Sequence, residues 1–380
     1  MNFSYTTGQQ EFKTSALEFA QAELNDSILE RDRNGEFSFK GWKACADFGL
    51  QGILVPEELG GLGLDPLYYA AIMEGIGQGC KDNGLIFSIN AHILTCIVPI
   101  LLHGSNEQKK RYLEGMISGK FIAANAMTEA DSGSDAYGLR TTAVKENGHY
   151  VLNGSKTFVT NAPVADIFIV YATTNKAGGF FGLSCFLVEK NTPGLFVGEK
   201  IEKMGLRTSP MSELGFNNCR IPAGNLIGQE GAGGILFSSS MEWERGLILA
   251  NCIGIMDRLL SDCLNYANTR KIGDQTIGAH QSIAHKIAQM KVRLETSRLM
   301  LYKAAWLKSL KKSAALDASL TKLSISEAYI ENCRDALQIF GGYGYMVEYE
   351  IERELRDALA SSLYSGTSEV QKNIISSLLL

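Results

Sequence analysis

The sequence lacks the features that would place it in several large protein classes. It has no basic excess: 36 Lys and Arg stand against 41 Asp and Glu, a formal net charge of −5, which argues against a general nucleic-acid binder held by phosphate neutralisation. It has no paired cysteines. The eight cysteines, at 45, 80, 96, 185, 219, 252, 263 and 333, stand singly with no Cys-x-x-Cys. Most lie in apolar segments, as reduced buried thiols do in cytosolic proteins, so neither a disulfide framework nor a zinc site is expected. It has no unbroken apolar run of bilayer length, since 93–102 and 247–255 are short and carry polar breaks. The start, MNFSYTTGQQEF, has no basic stretch leading into an apolar one, so no secretory leader is expected and the cytoplasm is the expected location. Repeats of 20–50 residues and low-complexity linkers are also missing.

What is present is the composition of a globular protein with a sizeable core: 380 residues, 45% apolar and 20% charged, enough for two or three domains. The texture changes twice along the chain. Residues 1–120 read as helical, with helix-type apolar spacing over 12–30 and 66–77 and a helix start at Ser105-Asn106-Glu107-Gln108. Residues 121–230 read as a β domain of sandwich or barrel type. Asn147-Gly148 and Asn153-Gly154 are turn signals, and 166–172, 183–188 and 212–216, the last before an Asn217-Asn218 turn, have strand character. Residues 231–380 are helical again, with long segments over 233–269, 280–311 and 315–340 and a last one, 350–377, broken near Ser365-Gly366. Long helices with short connections suggest an antiparallel bundle. The expected fold class is therefore α+β: helical domain, central β domain, C-terminal four-helix bundle.

Several glycine clusters invite a nucleotide reading. Gly60-Gly61-Leu62-Gly63 lacks the strand, turn and helix of a dinucleotide fingerprint and reads as a loop. The stretch 228–234 reads as an interdomain turn. Thr128-Glu129-Ala130-Asp131-Ser132-Gly133-Ser134-Asp135 could offer backbone N–H groups to an anion, although an ordinary polar turn is the commoner outcome. The glycines of 338–345 close a long helix, where a C-cap explains them without a ligand.

One carboxylate stands out. On a helix, Glu244 shares a face with Met241, Ile248, Cys252 and Ile255, and that face is otherwise apolar. Burial there would raise its pKa and suit it to general-base work near neutral pH. The alternative is a partly exposed glutamate paired with a neighbouring arginine.

Taken in order, these segments resemble the acyl-CoA dehydrogenase family over nearly the whole chain. The resemblance is carried by Gly104-Ser-Asn-Glu-Gln-Lys-Lys-Arg-Tyr-Leu113, Met127-Thr-Glu-Ala-Asp-Ser-Gly-Ser-Asp135 and Asn153-Gly-Ser-Lys-Thr-Phe-Val-Thr-Asn161. It continues through Arg270 with Gln281, the 338–345 segment, Arg356-Asp357 and Tyr364-Ser-Gly-Thr-Ser-Glu369. A single one of these motifs means little; the ordered set on an α–β–α chain is specific. The resemblance implies FAD, with Met127, Thr128, Phe158 and Thr160 at the isoalloxazine ring and Gly133 and Ser134 near the pyrophosphate. Thr367 and Glu369 would hold the ribityl or adenine side. Arg270, Gln281, Gln338 and Gly342 would reach the FAD of a neighbouring subunit, which implies a homo-oligomer, typically a tetramer. The implied chemistry is removal of the proton alpha to a thioester carbonyl by a glutamate and passage of a beta hydride to flavin N5, with hydrogen bonds polarising the carbonyl.

The departures from the family pattern are informative. Its commonest base is the second residue of Tyr-Glu-Gly-Thr, but here the motif reads Tyr364-Ser365-Gly366-Thr367. A smaller branch carries the glutamate in a Glu-Arg-x-x-Leu/Ile pattern, which Glu244-Arg245-Gly-Leu-Ile248 matches, so Glu244 is the expected base. The usual Arg-x-x-Phe-Gly reads Arg270-Lys-Ile-Gly273-Asp274, without the aromatic near the adenine, and Ala130 stands where proline is usual. The segment Met241-Glu-Trp-Glu-Arg245 resembles the prolyl-carrier-protein dehydrogenase and oxidase branch of pyrrole and alkaloid pathways. That implies an L-prolyl group tethered through phosphopantetheine to an acyl or peptidyl carrier protein and oxidised to a pyrroline thioester. Trp243 would then either narrow the acyl pocket or simply pack between helices. Carrier proteins are usually acidic, and Lys109-Lys110-Arg111 and the lysines of 308–312 are candidate docking residues or solvated helix faces. A short- or branched-chain acyl-CoA dehydrogenase and a non-catalytic scaffold of the same family are the rival readings.

Overall fold

The structure, a computed structural model, describes residues 4–380; the first three residues of the stretch read for a leader lie outside the described residues. The N-terminal helices are α1 (Thr7–Glu23), α2 (Ile28–Asn34), α3 (Phe39–Asp47), α4 (Pro66–Gly79), α5 (Asn83–His92), α6 (Val98–His103) and α7 (Asn106–Ile117). The strands of the main sheet are β1 (Ala123–Ala126), β2 (Thr142–Glu146), β3 (His149–Thr160), β4 (Ile167–Thr173), β5 (Leu183–Glu189), β6 (Leu195–Val197), β7 (Met211–Pro222) and β8 (Leu226–Ile227). The C-terminal helices are α8 (Gly233–Leu247), α9 (Ala250–Thr269), α10 (Gln281–Ser309), α11 (Ala315–Phe340), α12 (Ile351–Ala360) and α13 (Ser368–Leu379), with a small hairpin of β9 (Lys271–Ile272) and β10 (Gln275–Thr276) between α9 and α10.

Local chemistry sets most of these boundaries. Thr6 with Gln9 and Ser105 with Gln108 form capping boxes that start α1 and α7. The segment expected over 12–30 is two helices, because the Asn25 amide donates to the carbonyls of Ala20 and Gly79 and closes the first. The segment expected over 233–269 also divides. The Asn90 amide from α5 donates to the carbonyl of Ile248 at the break between α8 and α9.

In the β domain the main sheet runs β6-β7-β3-β2-β4-β5-β8, with β1 beside β4. The β2 and β4 halves meet at one pair, Thr142 with Thr173. Every residue of β4 is buried. Ile167, Ile169 and Tyr171 face a core shared with the helices, while Phe168, Val170 and Ala172 face the interior of the sheet layers. Asn147-Gly148 makes the expected turn between β2 and β3. Asn153-Gly154 and Asn217-Asn218 do not turn the chain. They form a bulge where β3 and β7 slip register, and the Asn153 side chain accepts from the Asn218 N–H at 2.8 Å.

The N- and C-terminal helical regions share one hydrophobic core. Ala16, Tyr69 and Ile76 pack in the same cluster as Ile253, Met256, Leu301 and Ile325. Helices α4 and α9 approach at backbone distance through two glycines. A Cβ on Gly77 would lie 1.9 Å from the Asn251 carbonyl oxygen, and one on Gly254 would lie 1.9 Å from that of Glu74. Within the C-terminal region α11 is central and touches α8, α9, α10, α12 and α13.

Helices α5 and α6 join into one 21-residue helix, Asn83–His103, that is long and apolar enough to cross a membrane. Most of it is buried inside the protein, as a core helix is. Its middle, Ile93–Ile97, widens into a π turn. Pro99 has no N–H to give the carbonyl of Thr95, so the regular ladder cannot run through this point.

Candidate active site

Helix α8 buries Leu236, Phe237, Ser240, Met241 and Glu244, a helical stripe that carries the carboxylate into the core. Glu244 is 9% exposed. Its Oε1 accepts a hydrogen bond from the Ser365 hydroxyl, and its Oε2 is buried with no hydrogen-bond partner among the described residues. Burial raises the carboxyl pKa above the usual range, and the Ser365 hydroxyl, Arg245 and Lys322 act against that rise. The alternative of an exposed glutamate paired with its neighbouring arginine does not hold. Arg245 Nε instead donates to the Ser365 carbonyl at 3.2 Å.

Ser365 occupies the place where the resemblance puts the commoner base. It lies in a turn between α12 and α13 with two left-handed residues, Ser365 at φ +58° and Gly366 at φ +89°. Gln371 Nε2 donates to the carbonyls of Ser365 (3.1 Å) and Gly366 (3.0 Å), and Lys322 Nζ donates to Gly366 at 2.7 Å. Lys322 is fully buried, and burial brings its ammonium pKa down to about 8 against the opposing pull of Glu244. Cys96 from the π turn and Tyr171 from β4 lie near enough to feel the charge of Glu244, and the Tyr171 hydroxyl is also buried and without a hydrogen-bond partner among the described residues. A buried polar atom without a partner is costly unless a ligand meets it. The Cys96 thiol is pushed up to about 12 by burial and stays neutral.

The sequence-expected FAD residues fall into three groups. Met127, Thr128, Gly133 and Ser134 lie on the loop after β1, and Phe158 and Thr160 lie on β3 beside it. The Thr157 N–H donates to the Thr128 carbonyl at 2.8 Å. Beneath the loop sits a buried ion pair: Lys156 Nζ meets Glu129 Oε1 at 2.7 Å and the Met127 carbonyl at 2.9 Å. Glu129 also accepts the N–H groups of Arg140 (2.7 Å) and Thr141 (3.0 Å). Burial works to raise its carboxyl, but Lys156 and these donors outweigh it and hold it below the usual range. Two residues along β3 from Lys156, Phe158 takes φ +53° and exposes 63% of its surface. That is a poor conformation for a large side chain, and such strain gathers at ligand sites. A Cβ added at Gly133 would meet nothing within 4 Å. The exposed ring and the open loop leave room for a large planar group.

The second group, Arg270, Gln281, Gln338 and Gly342, is exposed and lies where the end of α9, the start of α10 and the end of α11 come together. The Arg270 guanidinium sits 5.4 Å from the centroid of the Tyr343 ring, and Gln281 contacts His285. Gly273, in the place of the family's aromatic, takes φ +60° in the two-residue hairpin turn. In the third group, Thr367 caps α13 by accepting from the Val370 N–H, and Glu369 is exposed in its first turn. No hydrogen bond joins the three groups among the described residues.

Other sequence expectations meet specific partners. Trp243 packs between α8 and α10, with the Lys308 ammonium 4.6 Å from its ring centroid. Lys308 Nζ also donates to Glu242 at 2.9 Å, and Arg111 is paired with Glu189 at 2.6 Å. Those two cations of the candidate docking runs are therefore engaged within the chain, while Lys110, Lys311 and Lys312 remain exposed. Sequence reasoning missed Lys322, Gln371, Tyr171 and the Glu129–Lys156 pair. The last had a signal, since both residues stand inside quoted motifs, but the others are brought in by distant helices and a strand. No group of His, Cys, Asp or Glu able to hold a metal ion is present among the described residues.

Three family models cover the chain: acyl-CoA dehydrogenase N-terminal domain at residues 6–120, middle domain at 124–219 and C-terminal domain at 231–380. An L-prolyl-[peptidyl-carrier protein] dehydrogenase of a Serratia species is 43% identical over 99% of this chain and 97% of its own length. The crystal structure of the prolyl acyl carrier protein oxidase AnaB superposes with a TM-score of 0.98 at 45% identity, over 99% of this chain and all of that one. PigA, solved with FAD and proline, superposes with a TM-score of 0.98 at 43% identity, over all of this chain and 99% of that one.

Proposed function

We propose, from the premise that this chain belongs to the acyl-CoA dehydrogenase family, that it is an FAD-dependent oxidoreductase acting on a prolyl group tethered as a thioester to a carrier protein. The observation that carries the catalytic assignment is the buried Glu244, held at one oxygen and bare at the other, with Ser365 in the place of the commoner base.

In this reading Glu244 Oε2 takes the proton alpha to the thioester carbonyl. Burial keeps water from the carboxylate and raises its basicity, which matches it to a weak carbon acid. FAD, when bound, supplies the acceptor for the hydride, so the substrate loses two hydrogens and becomes a pyrroline thioester. Met127, Thr128, Phe158 and Thr160 would flank the flavin ring, Gly133 and Ser134 the pyrophosphate, and Thr367 and Glu369 the ribityl or adenine side. The exposure of Arg270, Gln281, Gln338 and Gly342 suits a role toward the FAD of a second copy in a homotetramer. The exposed Tyr345, Ile272 and Val347 near that group would be covered by the same contact. Eight free, buried cysteines suit the reducing cytoplasm, and the setting is secondary-metabolite biosynthesis, the anatoxin-like toxin pathways included.

The test is to incubate the yellow holoprotein with prolyl-loaded carrier, prolyl-CoA and butyryl-CoA, following substrate mass and peroxide. Loss of two hydrogens from the carrier-bound prolyl group, with butyryl-CoA untouched in the presence of a dye acceptor, is expected. Turnover of butyryl-CoA instead would identify a short-chain acyl-CoA dehydrogenase, and a colourless inert protein would identify a scaffold.

A further inference from the structure

We propose that Ser365 is a positioning residue: its hydroxyl fixes Oε1 of Glu244, so that Oε2 is the oxygen turned toward the substrate. The inference rests on Glu244 being the base.

The terminal torsion of a glutamate is broad and roughly two-fold, so helix α8 alone does not decide how the carboxylate plane lies or which oxygen faces the pocket. A single directional hydrogen bond to one oxygen does decide it. The hydroxyl that makes this bond is itself held in place. Its backbone carbonyl receives Arg245 Nε from α8 and Gln371 Nε2 from α13, and the next carbonyl receives Lys322 Nζ from α11. Three helices thus converge on two peptide groups whose outer face carries one small side chain.

The backbone at this point would accept glycine more readily than serine. Ser365 takes φ +58°, a left-handed conformation that disfavours any Cβ, and Gly366 beside it takes φ +89°. A residue serving only the turn would thus be glycine or asparagine. The serine hydroxyl spends its hydrogen bond on Glu244, a partner 121 residues away in sequence. The two base positions that the resemblance implies are joined here by the hydrogen bond between their side chains.

A hydrogen bond to the ionised carboxylate favours ionisation, against the burial that raises the Glu244 pKa. Removing the hydroxyl therefore moves the pKa further up, and the acid limb of the kcat/KM profile moves with it, because the base must be ionised to act. The experiment uses FAD-loaded holoprotein and prolyl-loaded carrier, with Ser365→Gly, Ser365→Ala and Glu244→Gln measured side by side. Ser365→Gly is the cleaner variant, since it removes the hydroxyl and relieves the left-handed strain together. It is expected to keep its FAD and thermal stability, to lose kcat about tenfold with KM little changed, and to shift the acid limb upward by about one pH unit. Ser365→Ala should show the same shift with lower stability. If both variants keep the parental kcat and acid limb while Glu244→Gln is inactive, or if only KM changes, the positioning role is wrong and the base stands. Near-normal turnover by Glu244→Gln would remove the base assignment and this inference together.

Discussion

Two buried glutamates in this molecule are treated in opposite ways. Glu129, under the loop that follows β1, meets a buried ammonium and two backbone N–H groups, and its carboxyl is held below the usual range. Glu244, in α8, meets one hydroxyl and leaves an oxygen bare, and its carboxyl is raised. A third, Glu74, is saturated with donors as Glu129 is: Tyr5, Lys13, Arg298 and Tyr302 all donate to it. A carboxylate that stabilises a fold is saturated, because an unpaired buried charge costs several kcal/mol. A carboxylate that must take a proton keeps a free oxygen and accepts that cost. Under the proposed function, the contrast is that between a structural acid, Glu129, and the proposed base, Glu244.

The comparison is most sharply broken by exchanging the charge at each site. Glu244→Gln should lower kcat about a thousandfold with FAD content unchanged, measured by single-turnover reduction of the holoprotein with prolyl-loaded carrier. The same variant should be more stable than the parent at neutral pH in a thermal melt, since it no longer buries a half-satisfied charge. Loss of stability there would mean that Glu244 is structural after all.

Glu129→Ala should do the reverse. It strands Lys156 in the interior, and we expect a loss of about 3 kcal/mol in denaturant unfolding together with weaker FAD retention. Normal stability would show that the loop does not depend on the pair.

A smaller effect is expected at Phe158, two residues along β3 from Lys156 and in a left-handed conformation. Phe158→Gly should stabilise the apoprotein by about 1 kcal/mol while weakening flavin binding, read by FAD titration. Unchanged FAD affinity would place the ring away from the cofactor.

The two sites should also differ in pH dependence. With a depressed folded pKa, Glu129 contributes stability above the ordinary glutamate range and loses it as the pH falls through that lower value. With a raised folded pKa, Glu244 makes the protein less stable as the pH rises from the ordinary glutamate value through its own. Melting curves across pH should therefore lose their acid slope in Glu129→Gln and lose a decline on the approach to neutrality in Glu244→Gln.

Much of this protein is written locally. The helix start at Ser105, the Asn147-Gly148 turn and the period of apolar residues announce α7, the β2–β3 hairpin and α11, because each depends on groups a few residues apart, whereas the capping box at Thr6 that opens α1 went unread. The same local order of motifs carries the family and singles out Glu244 by its apolar neighbours. Where local signals misled, a distant group had intervened: the Asn90 amide at the Ile248 break, and the facing strand that turns Asn153-Gly154 and Asn217-Asn218 into a bulge.

The tertiary structure alone decided the rest. It brought Ser365 to Glu244, Lys322 beneath their turn, and Gly77 against Gly254 so that the first and third regions share a core. Those contacts join residues far apart in the chain, and their geometry is fixed by how whole helices pack. A sequence can say which carboxylate is surrounded by apolar residues, but only packing decides which of its oxygens is left without a partner.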